Sequence, residues 1–119
     1  MQNEVMRKAV EIEDYVLSFR RDLHAHPELS GEEVENQKKI IRELEKLGIP
    51  YRKAGSTSII ATLTGGRKGK TVALRGDIDA LPIVEEADVP FRSTVEGKMH
   101  ACGHDAHASM RRPSERPMR

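Results

Sequence analysis

Nine residues, Met99-His100-Ala101-Cys102-Gly103-His104-Asp105-Ala106-His107, hold three of the five histidines and the only cysteine of the chain. Cys102 and His104 flank a glycine, whose missing Cβ lets the backbone turn tightly enough for a thiolate and an imidazole to face one point. Together they can ligate a metal ion, which would in turn keep the thiol deprotonated. Asp105 can bind the metal or accept the second ring N–H of an imidazole and fix its tautomer. His100 and His107 lie within reach of the same space. The competing reading is structural: a lone cysteine is commonly a small buried hydrophobe, and histidines near an element end are commonly satisfied by backbone. Cys-x-His is too short a motif to decide between the two.

Two other stretches carry chemistry. Arg75-Gly-Asp77-Ile-Asp79-Ala-Leu-Pro82 puts acidic residues at the carboxyl end of a predicted strand, where α/β proteins place sites. Asp77 and Asp79 can ligate a hard cation, buttress a histidine ligand, or form a solvated turn. His24 and His26 fall at the end of a predicted helix, where a cationic imidazole suits the carbonyl-rich terminus and a ligand role is the alternative.

The elements that must position these residues are legible from periodicity. Val5, Ala9, Ile12, Val16, Phe19 and Leu23 form one apolar stripe, which predicts a core-packed helix from about Asn3 to Ala25, stopped by Pro27. Ser30-Gly-Glu-Glu33 reads as a capping box that opens a second helix with Val34, Ile41 and Leu44 on its buried face. Gly48 ends that helix in a left-handed conformation, and Ile49 packs back on it. The period then changes to β: residues 58–64 and 71–75 are predicted to pair as a hairpin across the turn 65–69, with 50–54 as a further edge strand. Residues 83–98 read as an irregular polar excursion, and 106–110 as a first helical turn that does not continue.

Length and charge bound the rest. The 119 residues suit one modest domain or a piece of a larger one. With 20 basic against 19 acidic residues there is no electrostatic case for nucleic acid or an anionic membrane. A single cysteine cannot form an internal disulfide, no apolar run is long enough to span a bilayer, and the amino terminus lacks a signal-peptide plan. A cytoplasmic protein is expected.

His24-Ala-His-Pro-Glu-Leu-Ser30, Leu74-Arg-Gly-Asp-Ile-Asp-Ala-Leu-Pro82 and Met99-His-Ala-Cys-Gly-His-Asp-Ala-His107, in that order and spacing, resemble the amino-terminal part of the aminoacylase/carboxypeptidase family of metal-dependent amidohydrolases. The similar branch contains N-acyl-amino-acid amidohydrolases, hippurate hydrolases and indole-acetyl-amino-acid hydrolases. The resemblance implies an α/β fold, the first part of a zinc-peptidase-like catalytic domain with two helices, a small sheet and the metal loop. It also implies hydrolysis of the amide bond of an N-acyl amino acid or short peptide by a metal-activated water. Cys102 and His104 match the first two ligands of the family's two-metal site, and Asp79, with Asp77 less closely, matches the acidic motif that supports it. The divalent metal is expected to be zinc, with nickel, cobalt and manganese as alternatives for a thiolate–imidazole donor pair.

The chain departs from the family in length. The general-base glutamate and the other ligands have no match in it, so residues 1–110 are expected to be a truncated catalytic metallohydrolase domain, inactive alone. Arg111 to Arg119 are expected to be an aberrant or disordered basic tail, because Pro113 and Pro117 forbid a regular helix. The alternative to an enzyme piece is a non-catalytic module that binds a metal or a partner chain, a homodimer included, whose metal affinity would depend on concentration. An uncovered sheet face, exposed apolar side chains and limited stability are expected in either case.

Overall fold

The computed structural model describes residues 3–110. The basic tail at 111–119 lies outside the described residues. The elements, in order, are helices α1 (Glu4–Glu11), α2 (Glu13–Ala25) and α3 (Val34–Lys46), strands β1 (Tyr51–Ala54) and β2 (Ser58–Ala61), and helix α4 (His104–Met110). The architecture is α/β, as expected. No helix among the described residues is long and apolar enough to cross a membrane.

The helix expected over 3–25 is two helices. Asn3 caps α1 by accepting the Val5 N–H at 3.1 Å. The chain leaves the helical conformation at Ile12 (φ −103°, ψ 3°), and α2 starts one residue later. The apolar stripe runs through the break, yet only its last part is core: Phe19 and Leu23 are buried, whereas Val5 is 58% exposed. Because α1 buries no residue, no packing enforces a straight continuation.

Helix α3 starts differently from the predicted capping box. The carboxylate that covers its amino terminus is that of Glu28, which accepts the N–H groups of Glu35 (3.1 Å) and Asn36 (2.6 Å). Glu33 stands at the cap position without a side-chain cap bond, so a carboxylate from the preceding turn has displaced the local Ser30–Glu33 pair. The buried face is also more polar than the apolar spacing implies. Asn36 and Gln37 are buried with Leu44, and the Gln37 side-chain amide donates to the Ser58 carbonyl at 3.2 Å, which ties α3 to β2. Val34 is instead 48% exposed.

The end of α3 is as predicted. Gly48 has φ +67°, its N–H reaches the Glu45 carbonyl at 3.1 Å, and the Ile49 N–H reaches the Leu44 carbonyl at 2.9 Å. These two bonds are those of the motif in which a left-handed residue satisfies the last carbonyls of a helix. Ile49 folds back into the core beside Leu44.

The sheet holds the principal correction. Residues 51–54, expected only at an edge, form the antiparallel hairpin with 58–61, in the register Tyr51 to Ala61 and Ala54 to Ser58. Residues 71–75, expected to pair with 58–64, are in no strand, and Val72 and Leu74 are 81% and 74% exposed. The three-residue connection 55–57 closes a hairpin at shorter range than the glycine-rich turn at 65–69, and loop closure favours the nearer pairing. Exposed apolar side chains are found as expected, in this segment above all.

Past residue 77 the chain becomes anchored again through single backbone bridges. Leu29 pairs with Ala80 in parallel, and Leu81 pairs with Met99 in antiparallel fashion. The Ala80 N–H donates to the Glu28 carbonyl at 2.8 Å, and Leu81 and Met99 exchange bonds of 2.9 and 3.0 Å. Two further bonds from Thr94, through its N–H and hydroxyl, reach the Ala25 carbonyl at the end of α2. The radius of gyration is 15.6 Å, above the roughly 13 Å of a compact domain of 100 residues. Among the described residues the buried polar side chains outnumber the buried apolar ones. The interior is therefore organised by hydrogen bonds as much as by apolar burial.

Candidate metal centre

The nine-residue loop runs from the Leu81–Met99 bridge into α4, so its two ends are fixed by backbone pairing and by helix packing against α2. Cys102 is exposed and carries a free thiol. His104, the first residue of α4, is held through Nδ1 by the Asp79 carboxylate (2.9 Å) and the Asp79 carbonyl (3.0 Å). That contact leaves Nε2 of the ring as the nitrogen without a bond among the described residues. Asp77 is not brought to this place; its carboxylate accepts from Arg75 at 3.2 Å on the surface.

Gly103 does not have the positive φ that a tight left-handed turn would require. Space does not require the glycine either, since a Cβ there would meet the His107 ring at 3.5 Å, an ordinary contact. His107 packs over the loop, and its N–H closes the first turn of α4 on the Gly103 carbonyl at 2.9 Å.

His100 is buried, and neither of its ring nitrogens has a hydrogen-bond partner among the described residues. Burial pushes its pKa below the ordinary histidine value, outweighing the attraction of Asp105. The ring borders an open depression of about 420 Å³ whose lining includes Arg20, Glu85, Phe91, Cys102 and Asp105.

Asp105 does accept an imidazole N–H, as one of its two sequence readings proposed, but the imidazole is His24. His24, in the last turn of α2, lies between two carboxylates: Nδ1 is 2.8 Å from Asp105 Oδ2, and Nε2 is 2.8 Å from Glu85 Oε2. Arg20 Nε donates to the same Asp105 oxygen at 2.9 Å, while Asp105 Oδ1 accepts the Ala106 N–H at 2.9 Å. Glu85 also accepts the Ser93 N–H at 2.7 Å. Burial alone would raise the Glu85 carboxyl, but the His24 hydrogen bond, the Ser93 N–H and the charges of His24 and Arg92 outweigh it and hold the carboxyl below its ordinary value. Phe91 covers His24 edge-on with ring centroids 5.4 Å apart, and Arg20 and Arg21 each lie 5.2 Å from the Phe91 centroid.

Sequence reasoning missed this cluster. Arg20 and His24 are four apart and share a helix face, which was a readable signal. Nothing local marks Glu85, which sits in the irregular excursion. His26 remains outside, with Nδ1 accepted by the Asp22 carbonyl at 2.8 Å in an exposed position.

An exposed thiol two residues from an imidazole with one oriented ring and one open nitrogen is a donor pair that suits a borderline-soft divalent ion. Among the described residues no group of three or more His, Cys, Asp and Glu side chains is arranged to hold a metal. The pair is chemically fit for a metal but supplies only part of a coordination sphere.

Comparison with known proteins agrees with the three sequence blocks. A model of "Peptidase family M20/M25/M40" matches residues 73–110. Thermostable carboxypeptidase 2 of Saccharolobus solfataricus is 47% identical over 102 residues, covering 84% of this chain and 26% of that protein. N-acetylcysteine deacetylase of Bacillus subtilis is 50% identical over 99 residues, covering 79% and 25%. Among solved structures, a dinuclear metal-binding peptidase of the M20 family from Bacillus subtilis superposes with a TM-score of 0.79 at 47% identity, over 84% of this chain and 29% of that one. The chain thus spans about a quarter of the length of the curated relatives it matches, and over that span it is similar to proteins of the M20/M25/M40 peptidase family.

Proposed function

We propose that this chain contributes to the metal centre of an amidohydrolase that cleaves the amide bond of N-acyl amino acids or short peptides, with Cys102 and His104 as metal ligands. The observation that carries the reading is the Asp79–His104 contact. A carboxylate and a carbonyl on Nδ1 fix the ring tautomer so that Nε2 is the free donor, in the same loop as an exposed thiol. A bound divalent ion would supply Lewis acidity toward the amide carbonyl and an acidified water. The chain's own part is to present the thiolate and Nε2, and to hold the imidazole against rotation through Asp79. Zinc is the metal we favour for this donor pair, and the lone cysteine favours the cytoplasm as its compartment.

Residues 1–110 are proposed to be one part of the catalytic domain. Since no third ligand joins Cys102 and His104 among the described residues, the chain by itself is expected to bind metal weakly and to turn nothing over. Cobalt titration followed by thiolate-to-metal absorption tests the ligands. Cys102→Ala should abolish the band, and Asp79→Asn should weaken binding roughly 10- to 100-fold, the usual effect of removing a carboxylate that orients a ligand. Metal binding that is indifferent to Cys102→Ala and His104→Ala would overturn the assignment. Hydrolysis of an N-acetyl or hippuryl amino acid by the pure chain, lost in Cys102→Ala, would overturn its inactivity.

A further inference from the structure

We propose that His24 is a positioning residue for the metal loop, acting through Asp105 as a buried latch between α2 and α4. The inference rests on the metal reading above for its purpose, but its geometry stands without it.

Each nitrogen of the His24 ring faces a carboxylate oxygen, Asp105 on one side and Glu85 on the other, at 2.8 Å. The ring is thus held between two carboxylates, and the contact is sealed from water. His24, Glu85 and Asp105 are 4%, 4% and 1% exposed, which makes every member costly to leave without its partner. The latch joins three parts of the chain: the last turn of α2, the irregular excursion, and the first turn of α4.

The position of Asp105 gives the latch its consequence. It follows His104 directly and lies three residues after Cys102, and both of its oxygens are engaged. Oδ1 caps the adjoining Ala106 N–H, and Oδ2 takes Arg20 and His24 from α2. Fixing this carboxylate therefore fixes the start of α4, hence the backbone that carries both proposed ligands. Asp79 sets the rotation of the His104 ring, while His24 sets where the loop stands. A ligand pair set in place before the metal arrives loses less freedom on binding, so it binds more tightly.

The test uses the full chain and two independent readouts. In the metal-free chain, His24→Gln should lower hydrogen-exchange protection in residues 107–109 while leaving that of α3 unchanged. In the same variant, cobalt affinity should fall roughly 10- to 100-fold, with a shifted thiolate–cobalt band that reports altered ligand geometry. Asp105→Asn should do the same, and the double variant should be little worse than either single one, since both break one latch. Unchanged α4 protection together with wild-type cobalt affinity in a folded His24→Gln chain would overturn the proposal. If that variant does not fold, Glu85→Gln decides: it keeps an oxygen for the Ser93 N–H and turns the group facing His24 from an anionic acceptor into a neutral amide donor. Glu85→Gln should then loosen residues 107–109 to a smaller degree, and wild-type behaviour there would overturn the latch. A wild-type chain that binds no cobalt would defeat the metal reading alone, because the exchange experiment still judges the latch.

Discussion

The segment 71–75 and the His24 cluster make opposite use of their sequences. Thr71 to Arg75 reads as a strand by residue type, yet its apolar side chains face solvent and it has no strand partner among the described residues. Glu85 reads as part of a polar loop, yet it is buried against an imidazole and bonded by the Ser93 N–H. A strand requires a neighbour, and its propensity is a statement about packing on a sheet rather than about the backbone alone. A buried charge requires a counter-charge, and here the chain supplies one from each side. The part of the molecule that supports the loop is thus internally complete, while the part with the clearest β signature is not.

That contrast can be broken by substitution. Asp105→Ala should have the largest effect, about 3–5 kcal/mol, because it strands His24 in a buried place and removes the partner of Arg20; a urea midpoint within a few tenths molar of wild type would show the cluster to be idle. Leu23→Ala, at the one fully buried leucine of α2, should cost about 2–5 kcal/mol. Gly48→Ala should cost about 1–2 kcal/mol, from the left-handed backbone alone, since no neighbour lies within 4 Å of the added methyl. Val72→Thr should change stability by less than about 0.5 kcal/mol. A large loss there, read by thermal melting, would mean that 71–75 is packed after all.

Acid sharpens the same comparison. The Glu85 carboxyl is held below its ordinary value of 4.5, chiefly by the His24 hydrogen bond against the opposing effect of burial, with Ser93 N–H and Arg92 adding to it. Its contribution to stability is therefore complete above that ordinary value and is lost as pH falls through the depressed one. Denaturant midpoints should drop on acidification below about 4.5, and Glu85→Gln should flatten that slope. The segment 71–75 should contribute nothing to it.

What the sequence disclosed follows the same division. The carboxyl end of α3 was readable to the residue, because Gly48 and Ile49 act within one turn of the helix. The contact of Asp79 with His104 was readable as a chemical type, an acidic motif near an imidazole. The amino-terminal cap of α3 was not, because Glu28 reaches forward seven and eight residues to displace a plausible local pair. Nor was the strand pairing, since the more glycine-rich turn was the more conspicuous while the shorter connection at 55–57 was the one used. Glu85 lies 61 positions from His24, beyond anything that periodicity can report.

The single bridge between Leu29 and Ala80 closes a loop that contains all of α3 and the β-hairpin. The entropy of closing such a loop grows only with the logarithm of its length, so doubling it costs about 0.6 kcal/mol. Residues added at the exposed 65–69 turn would therefore tax the closure very little and would leave the loop at 99–107 where it is. The chain has room to lengthen at that turn without disturbing its chemistry.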